Sequence, residues 1–213
     1  MTPKVLNLYA GIGGNRQLWT NHNITAVEID PSIAAVYNSF FPTDALIIAD
    51  AHDYLINNYF KFDFIWSSPP CQTHSQFRQN INVKKGQSLP LYPDMRLYQE
   101  IIFLQHNFAG MWVVENVKPY YAPLVNPSFK LERHLWWNNF EVLLKEFKKP
   151  DINLIKRGQI KDLEKIHNFD LSKFKLKNKR QVLRNCVLGS VGKYIYDCMI
   201  EAKSNREKKL ESR

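Results

Sequence analysis

The sequence predicts an α/β fold with a mainly parallel sheet covered by helices. Three observations predict it. Short apolar runs of strand length recur along the first 117 residues, segments of helical spacing alternate with them, and glycines or acidic residues stand where the runs end. KVLNLY reads as the first strand and runs into a glycine turn, AGIGGN, after which RQLWTNH reads as the start of a helical stretch. ITAVEID reads as the second strand, and Pro31 suits the first turn of a helix over PSIAAVYNSF. DALIIAD and FDFIWSS read as the third and fourth strands. DMRLYQEIIFLQHNF sets Met95, Leu97, Ile101, Ile102 and Leu104 at helical spacing, MWVVEN reads as the fifth strand, and the tail EAKSNREKKLESR continues a helix. In sheets of this kind ligands bind beyond the carboxyl ends of the strands. Gly11, Glu28, Asp50, Cys71 and Glu115 all fall there.

Composition sets the outer bounds. A chain of 213 residues, 45% of them hydrophobic, can bury a real core as one domain with a small appendage. No apolar run approaches the roughly 20 residues of a membrane span, and the first residues lack the basic and apolar regions of a signal peptide. The three cysteines are odd in number and none forms a CxxC pair, which argues against a disulfide framework and a structural zinc site and fits a reducing cytosol. The net charge of +9 suits a polyanionic partner. It is concentrated: residues 145–184 hold 13 Lys/Arg against 5 Asp/Glu, a net of +8. A run of charge alone more often marks a solvated face. Phe169 and Phe174 among the lysines, and Arg157-Gly158 in an expected turn, point instead toward a nucleic-acid contact. Lys173, Lys175, Lys177 and Lys179 recur every second residue and would share one face of an extended segment; the competing reading is a lysine-protected edge strand.

The strand ends carry the chemistry. A glycine turn lets backbone approach a ligand closely, but Arg16 breaks the G-x-G-x-x-G pattern of a dinucleotide site. Glu28, at the end of the second strand, can accept both hydroxyls of a ribose. Together they suit a nucleoside-containing cofactor without a pyrophosphate, for which S-adenosylmethionine is the common case. Asp50 can accept from an adenine amino group or cap the helix that begins AHDYL. In SSPPCQTHSQF, Pro69 and Pro70 lock the backbone before Cys71 and stop the strand, so a single thiol is held rigidly at a strand end. A fixed thiol is what covalent attack requires, since reacting atoms must meet within roughly 3–3.5 Å. A cysteine is otherwise most often a small buried hydrophobe. Glu115, between Val114 and Val117 at the end of the next strand, would have a raised pKa and could donate a proton.

On these residues the chain resembles the cytosine-5 DNA methyltransferases, of the small stand-alone viral or bacterial type. VLNLYAGIGGNRQLW is similar to the family's cofactor motif, with Tyr9 where phenylalanine is usual. VEID resembles its ribose-binding motif, SSPPCQTHS its nucleophile motif and ENV its glutamate motif. LERHLWWNNF is similar to the arginine motif through Arg133, without a counterpart to the second arginine of many members. LRNCVLGSVGKYI resembles the final motif, with Asn185 and Val187 in place and Arg184 where glycine is usual.

The resemblance implies a Rossmann-like S-adenosylmethionine-dependent methyltransferase fold with a small basic target-recognition region. It divides the chain into a catalytic core over 1–144, the recognition region over 145–183 and a helical segment over 184–213 that completes the core. It implies S-adenosylmethionine bound by Tyr9, Ala10, Gly11, Gly13, Gly14, Glu28, Ile29, Asp50, Pro70, Asn185 and Val187. Cys71 would be the nucleophile, with Glu115 and Arg133 acting on the base. Gln72, Ser75, Lys84, Lys85, Asn116 and the four alternating lysines would meet the nucleic acid, and the loop around Lys84, Lys85 and Gly86 would close over a flipped base. The implied partner is double-stranded DNA, with neither membrane nor metal, and the implied setting is the cytoplasm of a bacterium or an infected host cell, as a monomer or weak dimer. Two other functions stay open. One is an RNA cytosine methyltransferase, although the Cys-Phe-Thr tripeptide of the related transfer-RNA enzymes is absent. The other is a DNA-binding relative that has lost turnover.

Overall fold

A computed structural model describes residues 2–20, 23–147 and 159–211. Seven strands form one sheet: β1 (Lys4–Leu8), β2 (Asn23–Glu28), β3 (Ala45–Ile48), β4 (Phe64–Ser67), β5 (Met111–Val117), β6 (Phe129–Leu131) and β7 (His134–Asn138). Their order is β3-β2-β1-β4-β5-β7-β6, parallel from β3 through β5 and antiparallel for β7 and β6. The order reverses between β1 and β4, the switch point at which open α/β sheets bind ligands.

The expected strands are present, and so are all the expected helices but one. α1 (Pro31–Phe40) starts at the anticipated proline, with Asp30 accepting from the Ser32 and Ile33 amides. α2 (Ala51–Asn58) is capped by Asp50, and α3 (Arg96–Asn107) buries Leu97, Ile101 and Leu104. RQLWTNH is not helical. Its described residues form turns, because Arg16 folds inward to Asp44, with Nε and Nη2 at 2.9 and 3.0 Å from its carboxylate, and Nη1 donates to the Trp19 carbonyl. The hairpin of β6 and β7 and two short helices, α4 (Ile160–His167) and α5 (Lys179–Asn185), were not anticipated. The long α6 (Gly189–Glu211) closes the chain.

Each face of the sheet carries a core. Leu6, Leu8, Ile65 and Val114 pack with Leu97, Ile101 and Leu104 on one side, and Trp66, Val113 and Trp136 pack with Val191, Ile195 and Met199 on the other. A third cluster joins Ile12 and Val36 to Leu163, Phe169, Leu171 and Leu183. Phe169, expected to meet nucleic acid, is therefore core, edge-on to Phe40 at 4.9 Å. Phe174 is half-buried beside the same cluster. Arg157 and Gly158 lie outside the described residues.

Candidate active site

Strand register brings the site together. Leu8 pairs with Val27 and with Ser67, and Ser67 pairs with Val114, so these four positions stand level across the sheet. The residues just beyond are Tyr9, Glu28, Ser68 and Glu115, and all four line one cavity of about 620 Å³. Its other walls come from the segment around Cys71, from Arg133 and His134 at the start of β7, and from α5 with the residues after it.

The cofactor side is built by backbone. Tyr9, at φ 55°, and Gly11, at φ 56°, bend the chain sharply after β1, and nothing lies within 4 Å of the place a Cβ on Gly11 would take. Glu28 accepts from the Gly11 and Asp30 amides at 3.0 and 2.9 Å, which fixes its carboxylate under the turn. Burial holds that carboxyl above the ordinary range, opposed by these backbone donors. Ala10, Gly14, Pro70, Asn185 and Val187 also line the cavity. Gly13 and Ile29 do not: a side chain at 13 would strike the Phe41 ring, and Ile29 points to solvent. Asp50 lies outside the lining and serves as the α2 cap, with Arg96 Nη1 3.2 Å from its carboxylate.

The opposite wall holds the thiol. Asn116 Nδ2 donates to the Pro69 carbonyl at 2.8 Å, tying the two-proline segment to the end of β5, while the His74 and Ser75 amides both bond the Cys71 carbonyl. The Cys71 backbone is thus pinned before and after the thiol, which is half-buried. Burial pushes the thiol up, and the nearby Glu115 carboxylate adds to this; Arg133 and Arg184 pull it down. Burial pushes Glu115 up to about 7, against a hydrogen bond from the Ser68 hydroxyl and the charge of Arg133. His134 Nε2 stands 3.7 Å from Glu115, but burial and Arg133 keep that imidazole neutral, so the two do not form an ion pair. Gln72, Ser75, Asn116 and Arg133 complete the expected set in the cavity.

The expected lysines lie elsewhere. Lys84 and Lys85 are exposed after a π-helical turn over Arg78–Val83, outside the cavity lining. Lys173, Lys175 and Lys177 are exposed, alternating with the half-buried Phe174 and Leu176. Lys179 does not continue that face: it opens α5, and its Nζ donates to the Leu171 carbonyl at 2.6 Å.

Sequence reasoning missed Glu100. It is buried in α3, accepts from Tyr9 Oη and Ser67 Oγ, each at 2.5 Å, and lies 3.0 Å from His52 Nδ1. Arg78, Arg180 and Arg184 also line the cavity and were not assigned to it. Only the departure of Arg184 from the final motif signalled any of them.

A five-stranded parallel sheet with an antiparallel hairpin at its edge, and a cavity at its switch point, defines the chain as an α/β protein of the S-adenosylmethionine-dependent methyltransferase fold. More narrowly, the model of the C-5 cytosine-specific DNA methylase family matches residues 3–154, and the chain belongs to that family. No curated protein matches it. Among solved structures, the Entamoeba histolytica methyltransferase EhMeth is 14% identical with a TM-score of 0.57, over 94% of this chain and 98% of that one, a likeness of fold. A DNMT2 variant from Spodoptera frugiperda is 27% identical with a TM-score of 0.38, over 54% of this chain and 35% of that one. A DNA modification methyltransferase of an E. coli prophage is 21% identical with a TM-score of 0.37, over 56% and 33%. Among the described residues no helix is long and apolar enough to cross a membrane, and no cluster of three or more His, Cys, Asp or Glu could hold a metal.

Proposed function

We propose that the protein is a DNA (cytosine-5)-methyltransferase that methylates a flipped-out cytosine through a covalent Cys71 adduct, with residues 145–183 as its target-recognition region. One observation carries the reading: Cys71 and Glu115 face the same cavity as Gly11 and Glu28. The cofactor side fits S-adenosylmethionine. The open approach to Gly11 admits a nucleoside against backbone, and the Glu28 carboxylate, already fixed by two amides, keeps lone pairs for ribose hydroxyls. Bound there, S-adenosylmethionine supplies an electrophilic methyl group.

The rest belongs to the chain. Cys71, as thiolate, forms a bond from sulfur to carbon 6 of the cytosine, and the displaced π electrons make carbon 5 nucleophilic. Glu115, with a pKa of about 7, is part-protonated at neutral pH and can protonate ring nitrogen 3, so charge does not accumulate on the ring. Arg133, which lines the same cavity, would hold the base's carbonyl oxygen. After methyl transfer, the carbon-5 proton passes to solvent, Cys71 leaves as thiolate and ring nitrogen 3 returns its proton to Glu115, which restores the aromatic ring. The base must leave the duplex first, at a cost of a few kcal/mol.

The test is methyl transfer from labelled cofactor to duplex DNA and, separately, to transfer RNA. Label in DNA at carbon 5 of cytosine is the expected result, with bisulfite sequencing giving the site; label in RNA alone would overturn the DNA assignment. Duplex containing 5-fluorocytosine should form a denaturant-stable adduct only when cofactor is present, because fluorine cannot leave as a cation. An active preparation that forms none would remove the covalent step.

A further inference from the structure

We infer that Arg184 and Arg78 form a phosphate site at the rim of the cavity, which grips the phosphodiester backbone beside the nucleotide whose base enters it. This rests on the reading of the substrate as DNA. Arg180 and Arg184 stand one turn apart on α5, so they share a face, and both line the cavity. Across it, Phe77 and Arg78 belong to the segment that follows Cys71. The Arg184 guanidinium lies over the Phe77 ring at 5.4 Å, joining the two walls. Stacking uses the face of a guanidinium and leaves its N–H edge available, which is the edge that matches phosphate oxygens. Arg133 donates to the Arg184 carbonyl, which fixes the backbone that carries this side chain. Arg78 Nη2 donates to the Leu89 carbonyl at 2.9 Å, which spans the loop that follows.

The charge around this rim is unbalanced. Among the described residues, neither Arg78, Arg133 nor Arg184 has a carboxylate within ion-pair distance. Of the two carboxyls that line the cavity, Glu115 is pushed by burial to about 7, and Glu28 is engaged by the Gly11 and Asp30 amides. Burial and the charges of Arg133 and Arg180 also disfavour the Arg184 cation. Like charges held this close are relieved when an anion arrives. A nucleotide with its base against Cys71 and Glu115 must leave its phosphates at the rim, where planar forks can take them bidentately. Arg184 occupies the place of the glycine usual in the final motif, so this site is a feature of this chain.

The experiment measures duplex DNA affinity against salt for the full chain, with cofactor affinity and thermal melting as controls. Arg184→Gln should flatten the slope of log K against log salt by about 0.9 and weaken binding roughly ten- to hundredfold, with both controls near wild type. Arg184→Lys should keep the slope and lose part of the affinity. Should Arg184→Gln melt early, Arg78→Gln carries the same test with the same expected slope change. A wild-type chain that methylates DNA while these variants keep its slope and affinity overturns this site alone. A wild-type chain that neither binds nor methylates DNA overturns the substrate reading and this inference with it.

Discussion

Gly14 lies so close to Cys186 that a Cβ on residue 14 would stand 2.7 Å from the Cys186 Cβ and 2.9 Å from the Val187 carbonyl oxygen. This contact joins the turn after β1 to the segment between α5 and α6, so both walls of the cofactor side depend on it. Gly14→Ala should destabilise the chain by about 1–3 kcal/mol through overpacking. That corresponds to roughly 2–4 °C per kcal/mol in melting temperature for a chain of this size. Adding Cys186→Ala should not rescue it, because the clash is with a Cβ, whereas Cys186→Gly should rescue part. Equal melting of Gly14→Ala and wild type would show that the two segments part freely.

Tyr9 ties the cofactor turn to Glu100. The hydroxyl donates to a buried carboxylate that also takes Ser67 Oγ, so removing it leaves Glu100 short of a donor in the core. Tyr9→Phe should therefore cost about 1–3 kcal/mol of stability. Glu100→Gln in the same background should recover some of this, since an amide demands fewer donors than a carboxylate. Urea unfolding of both variants checks the order, and a Tyr9→Phe chain as stable as wild type would make the hydrogen bond idle.

The sheet and the thiol–carboxylate pair were legible because both are written locally. Val113 and Val114 mark a buried strand, and two prolines before Cys71 mark a stop, whatever lies elsewhere in the chain. Glu100 was not legible, because its partners at 9, 52 and 67 belong to other strands and helices. Arg16 misled in the same way: Arg and Gln favour helix, yet a bidentate pair with Asp44, 28 residues on, decides the local shape. Residues 145–184 read as a solvated face or a nucleic-acid contact, not as core. Their apolar side chains Leu163, Phe169, Leu171 and Leu183 are spaced to reach Ile12 and Val36 and not to match a single period.

Cys71→Ser should abolish methyl transfer and leave cofactor affinity unchanged, because the thiol lies on the wall opposite Gly11 and Glu28. Isothermal titration with cofactor and a labelled-methyl assay on one preparation check both halves. Normal turnover by the serine variant would refute covalent catalysis.

Glu115 sets activity and stability in opposition. Its folded pKa, about 7, is raised above the ordinary 4.5 by burial, so its contribution to stability is fully present below about 4.5 and is lost as pH rises through 7. That difference is worth about 3 kcal/mol at pH 8. Glu115→Gln should slow methylation by about 10²–10⁴. It should also melt higher than wild type at pH 8, with an advantage that shrinks toward pH 5. The limb near pH 7 in the rate profile should vanish with the carboxyl. A melting difference that does not vary with pH would mean that Glu115 does not titrate in this range.

The lysines after α4 make the last prediction, and the fold narrows it. Lys173, Lys175 and Lys177 point outward while Phe174 and Leu176 pack toward the third cluster, so three ammonium groups share one exposed face. Lys179 is committed to the Leu171 carbonyl and belongs to the structure of the turn. If the face lies along DNA, changing the three exposed lysines to glutamine should lower the slope of log K against log salt by up to about 2.7, at about 0.9 for each phosphate left without its ammonium group. Binding should weaken on every sequence alike, since phosphates carry no base information. Lys179→Gln should instead lower the melting temperature and leave the slope nearly unchanged. A triple variant with the wild-type slope would show that these lysines only protect a solvated edge, and recognition would then have to come from other residues around the cavity mouth.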